Sequence, residues 1–358
     1  MKNLKDIKIL MTGIGAPGAN GIIKSIRLNN ERYIYIVGVD SDIDNSIGIG
    51  WVDKAIKIPS AKSTDFIQEL YKIAVDEKVS IILPLVTNEL FLISQNKKMF
   101  NDKNIEILVS DFEKLNLVNN KYSLLKFCEK IGIPTPDYRL VSSIEEFKNA
   151  AFKLGYPEKK ICFKPPISNG SRGFRIISNS TNRMDYLINE KPNNVFISMD
   201  EFLNIANESS YFPQLLLMEY LPGKEFSVDA LGDGNKCIKV IPRTRDKIKM
   251  GISFVGTTIE DKRLIKYASQ LIESLKLFGN IGFQFKEDDS GTPKIIESNP
   301  RVQGTIVLCT ASGYNMVYNA IKIALKEEPL QYNINWGTKM IRYWDELYFK
   351  ENNKVSFG

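Results

Sequence analysis

At 358 residues the chain is longer than one typical hydrophobic core, so two or three domains are expected; its 43% hydrophobic and 25% charged content is that of a soluble globular protein. The formal net charge of +6 is spread over Lys and Arg along the whole length, a pattern that reads as a solvated surface and suits anionic small molecules at least as well as nucleic acid. The chain has no histidine, which excludes Ser-His-Asp and Cys-His nucleophile systems, H-E-x-x-H zinc sites and imidazole bases. Chemistry must then run on carboxylates, Lys, Arg and metal. The four cysteines, Cys128, Cys162, Cys237 and Cys309, stand far apart and read as reduced thiols. No apolar run is long enough for a signal-peptide core or a membrane span, so a cytoplasmic protein without membrane or nucleic-acid partners is expected.

In chain order, Ile7 to Thr12 reads as a short buried strand. It leads into Gly13-Ile14-Gly15-Ala16-Pro17-Gly18 and a helical pattern of Ala19, Ile22, Ile23 and Ile26. Tyr33 to Val39 is a second strand ending in Asp40, placed where a dinucleotide-binding fold carries its ribose acid. An NAD(P)-dependent enzyme is therefore one reading of this segment; a tight turn that packs helix on strand is the other. Further strands at Ala55–Ile58, Ser80–Leu85 and Ile105–Ser110 alternate with helical patterns and imply a parallel sheet. Pro84-Leu85-Val86-Thr87-Asn88-Glu89 lies just past a strand's carboxyl end. Asn88 and Glu89 there are candidates either to touch a substrate or to cap the next helix.

Lys121 opens an amphipathic helix that Gly132, Pro134 and Pro136 close, starting a new domain. Ser143-x-x-Glu146 is a capping box. A strand ending at Lys164 then enters Pro165-Pro166-Ile167-Ser168-Asn169-Gly170-Ser171-Arg172-Gly173, where the glycines free backbone N–H groups, Ser168 and Ser171 add hydroxyls and Arg172 adds charge. The loop reads as a phosphate flap or as a flexible hairpin tip; no Walker A motif occurs. Asn179 to Pro213 is polar and reads as helical in part. Leu215 to Leu221 is an apolar strand, and Glu225–Leu231 and Lys236–Arg243 pair around a Gly-Asp-Gly-Asn turn. Thr244 to Lys249 then gathers the cations Arg245, Lys247 and Lys249, which either meet an acidic substrate or face water.

Gly282 to Lys286 and Pro293 to Asn299 read as a β-hairpin. With its turn centred on Asp289-Ser290, Gln284 lies opposite Ile295, and Glu297 and Asn299 follow on that face. One carboxylate and two amide carbonyls are hard donors, suited to Mg²⁺ rather than zinc or copper, unless the face is merely solvated. Arg301 follows past a proline, placed to hold a phosphoryl group beside the metal.

Taken together, Lys121, Lys164, the Ser168–Gly173 loop, Met218 to Glu225, Gln284 and Glu297 to Arg301 resemble the ATP-grasp superfamily over about Ile7 to Tyr343. The likeness is to the single unit repeated in the carbamoyl phosphate synthetase large subunit. The resemblance implies a mixed α/β and α+β chain: a Rossmann-like domain over residues 1–115, a linker helix and flap domain over 116–214, and a C-terminal ATP-grasp domain over 215–358. It assigns Lys121 and Lys164 to ATP phosphates, with Ser168, Asn169, Gly170 and Ser171 in the lid over them. Glu219, Tyr220 and Leu221 form the adenine hinge, and Glu225 meets the ribose. Gln284, Glu297 and Asn299 hold Mg²⁺, with Mn²⁺ as the alternative and two ions expected. Arg301, Lys164 and Asn299 serve the phosphoryl transfer.

The implied chemistry is formation of an acyl phosphate from a small carboxylate, followed by attack of an amine or a thiol, with release of ADP and phosphate. Asn88, Glu89, Arg243 and Arg245 are the substrate candidates, and a homodimer is the assembly expected. The chain shows one unit and no evident glutamine-hydrolysing partner, which disfavours carbamoyl phosphate synthesis and leaves a carboxyphosphate-forming enzyme of the synthetase kind as an alternative. Arg301 is followed by Val302-Gln303-Gly304-Thr305 where biotin carboxylases carry Val-Glu-His, which disfavours carboxylation of biotin.

Overall fold

The computed structural model describes residues 4–168, 170, 172–178, 188, 195–249, 251–343, 345–350 and 353–355. It divides into two compact units. The first comprises Met1–Val118, Phe226–Gln284 and Ser298–Gly358; the second comprises Asn119–Glu225 and Phe285–Glu297. Both are assembled from separated stretches of chain, so the division at 115 and 214 is one of sequence segments rather than of compact units.

The first unit opens with a parallel sheet of β1 (Ile7–Thr12), β2 (Ile34–Asp40), β3 (Lys54–Lys57), β4 (Ile81–Pro84) and β5 (Glu106–Ile107), in the order β3-β2-β1-β4-β5. Its helices include α1 (Ala19–Arg27), α2 (Phe66–Asp76) and α3 (Thr87–Gln95). Alternate residues of β1 feed opposite cores. Ile9 and Met11 join Ile22, Ile23 and Ile26 of α1, whereas Leu10 joins Phe66, Leu70 and Ala74 of α2. A strand buried on both faces must be largely apolar, which is why β1 reads as a run and not as an alternation. The winding reverses between β1 and β4, where Thr12 pairs with Pro84 at the strands' carboxyl ends. Open α/β sheets bind ligands at such a point.

The Gly13–Gly18 turn is held by its own chain. Asp40 accepts from Gly15 N–H at 2.8 Å through one carboxylate oxygen and from Asp42 N–H at 3.0 Å through the other. A Cβ at Gly18 would collide with the Gly304 Cα. Both contacts support the packing-turn reading of this segment. Gly18→Ala is expected to destabilise the fold by about 1–3 kcal/mol, because one backbone must move to admit the methyl group; a lowered midpoint in denaturant unfolding checks it.

In the second unit, α4 (Lys121–Lys130) is capped by Asn120, whose side chain accepts from Ser123 N–H at 3.1 Å. A five-stranded sheet of β6 (Tyr138–Val141), β7 (Ile161–Lys164), β8 (Arg175–Ile177), β9 (Phe196–Ile197) and β10 (Leu215–Glu219) has the order β6-β10-β7-β8-β9. Helix α5 (Ile144–Lys153) carries the expected cap: Ser143 Oγ accepts from Glu146 N–H at 3.1 Å, and Glu146 reaches back to Ser142 N–H at 2.7 Å. From the expected polar stretch 179–213, the described part includes α6 (Met199–Glu208), capped by Ser198. Phe147 of α5 stacks on Phe202 of α6 at 4.2 Å between ring centroids, with Phe163 of β7 at 4.9 Å from Phe202. These rings fix β7, and hence Lys164 at its end, against the helices.

Returning to the first unit, β11 (Glu225–Asp233) and β12 (Cys237–Thr244) pair antiparallel around the Asp233 turn. The cationic stretch after them forms β13 (Lys247–Lys249), against β14 (Ile252–Thr257). Helix α7 (Lys262–Leu275) leads to β15 (Phe278–Glu287) and β16 (Pro293–Asn299), with sheet order β12-β11-β15-β16. Helix α8 (Met316–Ala324) and β17 (Lys339–Ile341) follow, and β17 pairs with β14. Both β15 and β16 run through the boundary between the units. Their turn closes with Asp288 N–H donating to Thr292 C=O at 3.1 Å, so its midpoint is Ser290 and not Asp289-Ser290. Asp288 accepts from Ser290 N–H, Ser290 Oγ and Thr292 N–H, which holds its carboxyl down at about 2 and fixes a three-residue loop. The alignment of Gln284 with Ile295, drawn from a two-residue turn, does not follow from this loop.

Candidate active site

In the second unit two buried lysines share one carboxylate. Lys121, at the first turn of α4, is 4% exposed, and its Nζ donates to the Ser168 carbonyl at 2.8 Å and Ser168 Oγ at 3.2 Å. Lys164, at the end of β7, is 6% exposed, and its Nζ donates to the Ile296 carbonyl at 3.0 Å. Its charge partner is Glu297, with Oε2 at 3.9 Å. Burial pushes the Lys121 ammonium down to about 8; the Glu297 charge opposes that shift and the Lys164 charge adds to it. The flap loop leaves Lys164 through Pro165, with Gly170 at φ +62° and Gly173 at φ +76°. Gly173 is required twice over, since a Cβ there would also press on the Pro165 ring. The predicted lid residues Asn169 and Ser171 lie outside the described residues.

The expected hinge follows β10. Glu219 N–H donates to the Asp137 carbonyl at 2.9 Å, while Glu219 Oε1 accepts from Asp137 N–H at 3.0 Å and from Lys294 Nζ at 2.5 Å. Lys294 also reaches Asp288 at 3.4 Å, which ties the hairpin turn to the hinge inside this unit. Tyr220 N–H donates to the Lys160 carbonyl, and its ring lies under Lys286 Nζ at 4.9 Å from the centroid. Leu221 is buried, and among the described residues its N–H and C=O carry no hydrogen bond. Glu225 opens β11 and is half-buried.

The first unit holds the remaining predicted residues. Gln284 and Asn299 belong to it, whereas Glu297 belongs to the second unit. The donor set of one carboxylate and two amide oxygens suits a hard cation, and all three side chains are part-exposed. Among the described residues there is no cluster of three His, Cys, Asp or Glu side chains that would compete as a metal site. Arg301 Nε donates to Thr87 Oγ1 at 3.2 Å and its Nη1 to the Val302 carbonyl at 2.8 Å. Thr87 starts α3, so Arg301 stands beside the turn that carries Asn88, which is exposed, and Glu89, which is half-buried. Glu89 Oε2 accepts from Thr12 Oγ1 across the β1/β4 crevice. Burial pushes its carboxyl up to about 7, with the Asp40 charge adding to the rise and the Thr12 bond opposing it.

Arg243 is 1% exposed. Its Nε donates to Asp229 at 2.9 Å and its Nη2 to Gln303 Oε1 at 3.1 Å, while Nη1 and Gln303 Nε2 are buried donors without an acceptor among the described residues. Arg245 donates to Ser227 Oγ at 3.2 Å and to the Gly251 carbonyl at 3.0 Å. Reasoning from the sequence missed Thr12, Asp229, Gln303 and Lys294. Only Gln303 carried a signal, two residues after Arg301 on the same segment; the others are joined to the site by pairings that no local pattern encodes.

A family model described as ATP-grasp in the biosynthetic pathway with Ter operon matches residues 211–343, and one described as PylC-like, N-terminal domain, matches residues 9–108. The ATP-grasp likeness expected from the sequence is thus carried by the C-terminal part of the chain. The chain is also similar to the carbamoyl phosphate synthase large chain of Methanothermobacter thermautotrophicus, at 28% identity over 273 residues, covering 71% of this chain and 24% of that protein. It thus spans about a quarter of that relative's length. The fold is also similar to the Campylobacter jejuni biotin carboxylase in its β-γ-ATP complex, with TM-score 0.67 and 19% identity over 93% of this chain and 74% of that one. A biotin carboxylase domain dimer of the Hydrogenobacter thermophilus 2-oxoglutarate carboxylase, bound to MgADP, ADP and bicarbonate, gives TM-score 0.67 and 19% identity, covering 94% and 73%. The Rossmann-like opening and the ATP-grasp fold expected from the sequence are those of the chain. Among the described residues no helix is long and apolar enough to cross a membrane.

Proposed function

We propose that this chain is an ATP- and Mg²⁺-dependent ligase that phosphorylates a small carboxylate and joins the resulting acyl phosphate to an amine. The observation that carries the reading is the pair of buried lysines. Two ammonium groups at 4% and 6% exposure act on one carboxylate, Glu297, which leaves net positive charge on buried groups, and a polyphosphate would neutralise it. Lys121, Lys164 and the flap loop would take the phosphates. Leu221 would offer its free backbone groups to adenine, Tyr220 would line the ring, and Glu225 would meet the ribose. Gln284, Glu297 and Asn299 would hold the ion, which neutralises charge on the transferring group when bound. Arg301 would steady that group.

The acid fits the other orphans. Arg243 Nη1 and Gln303 Nε2 are buried donors that lack an acceptor, and a carboxylate would supply one. Arg243 and Arg245 together bias the site toward an anion, and Asn88 and Glu89 face the amine side. A homodimer is the assembly we propose for it. The test is a calorimetric titration followed by an ADP-release screen against pooled carboxylates and amino acids. MgATP binding is expected without NAD(P) binding, and ADP release is expected to need both a carboxylate and an amine. NAD(P) binding in the absence of MgATP binding would overturn the reading in favour of the glycine turn.

A further inference from the structure

We propose that Glu89 is the proton acceptor for the attacking amine, working from the β1/β4 crevice beside Arg301; this rests on the ligase reading. The geometry is built inside one unit. Thr12 ends β1, Thr87 and Glu89 open α3 just past β4, and the sheet reverses its winding between those strands. Thr12 Oγ1 donates to Glu89 Oε2, which locks the carboxylate's orientation. Among the described residues no hydrogen-bond donor is found for Oε1. Arg301 Nε holds Thr87 Oγ1 at 3.2 Å, so the group that steadies the phosphoryl and the group that takes the proton hang on one helical turn. Asp40, at the end of β2, is the charged neighbour whose field reaches Glu89, and its own oxygens are occupied by Gly15 N–H and Asp42 N–H. A carboxyl poised near neutral pH can take a proton from an ammonium group and give it up again to water. Its neighbour Asp40 keeps the crevice attractive to a cationic amine.

The substrate ammonium gives one proton to Glu89 Oε1 and becomes a neutral amine. Its lone pair forms the C–N bond at the acyl carbon, the C–O bond to the phosphoryl group breaks with its electron pair leaving on phosphate, and the second nitrogen proton departs with that phosphate. The product is the amide plus inorganic phosphate, and Glu89 returns its proton to water.

The experiment supplies ATP, Mg²⁺ and the pooled carboxylates with either hydroxylamine, which is largely unprotonated at neutral pH, or the pooled amino acids, whose amines are protonated. In Glu89→Gln, amide formation is expected to fall about a hundredfold further than hydroxamate formation, relative to the wild type. The wild-type amide rate should climb with pH up to about 7 and then level, and that limb should vanish in Glu89→Gln. Glu89→Asp is expected to restore amide formation in part. ATP-dependent hydroxamate formation by the variant also certifies that it is folded. Equal loss of both products would move Glu89 to the carboxylate side and overturn the proposal, as would undiminished amide formation. A wild-type chain that yields no hydroxamate would overturn the ligase reading and this proposal with it, a result distinct from hydroxamate that does not depend on Glu89.

Discussion

Glu297→Ala is expected to lower substrate-stimulated ADP release by at least about a hundredfold, the scale of losing one preorganised charge at a phosphoryl-transfer site. Three effects coincide at this residue. The proposed ion loses its one carboxylate ligand, leaving Gln284 and Asn299, whose neutral amides hold a divalent cation poorly. Lys164 Nζ loses the charge partner 3.9 Å away. Lys121, already pushed down to about 8 by burial, loses the charge that opposed that shift and sheds its proton at still lower pH. The remaining activity should therefore fall away at a lower pH than in the wild type. Steady-state ADP release across pH measures both, with circular dichroism to show that the part-exposed position tolerates Ala. A folded Glu297→Ala chain releasing ADP at the wild-type rate would sink the metal assignment.

Lys121→Met should weaken MgATP binding by roughly ten- to a hundredfold, since a charge-assisted hydrogen bond contributes about 1.5–3 kcal/mol. Methionine fills the buried volume left by the alkyl stem and removes only the ammonium. In the wild type the free chain carries Lys121 near 8, so affinity should decline as pH rises above that value and the group becomes neutral. Lys121→Met should lose this decline, because no titrating group remains at the position, and Lys121→Arg should bind without it. Calorimetry at three pH values between 7 and 9 distinguishes these outcomes. Equal affinity in the wild type and Lys121→Met would remove Lys121 from the phosphate site.

Much of the fold was legible because its signals are local. The buried run of β1, the glycine turn, the Asn120 and Ser143 caps and the Asp288-Asp289-Ser290-Gly291 turn each need only a few neighbouring residues to declare themselves. Even there, one hydrogen bond from Asp288 N–H to the Thr292 carbonyl moved the hairpin midpoint by half a residue, and an alignment drawn from a turn centred on Asp289-Ser290 no longer follows. The Gly13–Gly18 turn shows the converse. Its pattern fits a dinucleotide as well as a packing turn, and the contacts that favour packing, with Gly304 and with the Asp40 carboxylate folded back on Gly15, come from residues far along the chain.

By itself the sequence determined the chemical vocabulary: no histidine, two lysines at strand and helix ends, a flap loop, one carboxylate among amides, and a terminal arginine, in an order that no single motif carries. Tertiary structure alone decided which of these groups are dry and what they face. Packing buried Lys121 on Ser168 and Lys164 beside Glu297, whose charge acts on both. The sheet's reversal set Glu89 against Thr12, and the pairing of β11 with β12 sank Arg243 onto Asp229. The physical reason is range. Turns, caps and runs are set by neighbours in sequence, whereas desolvation and the charges that answer it depend on residues brought together by packing, and no window of sequence contains them.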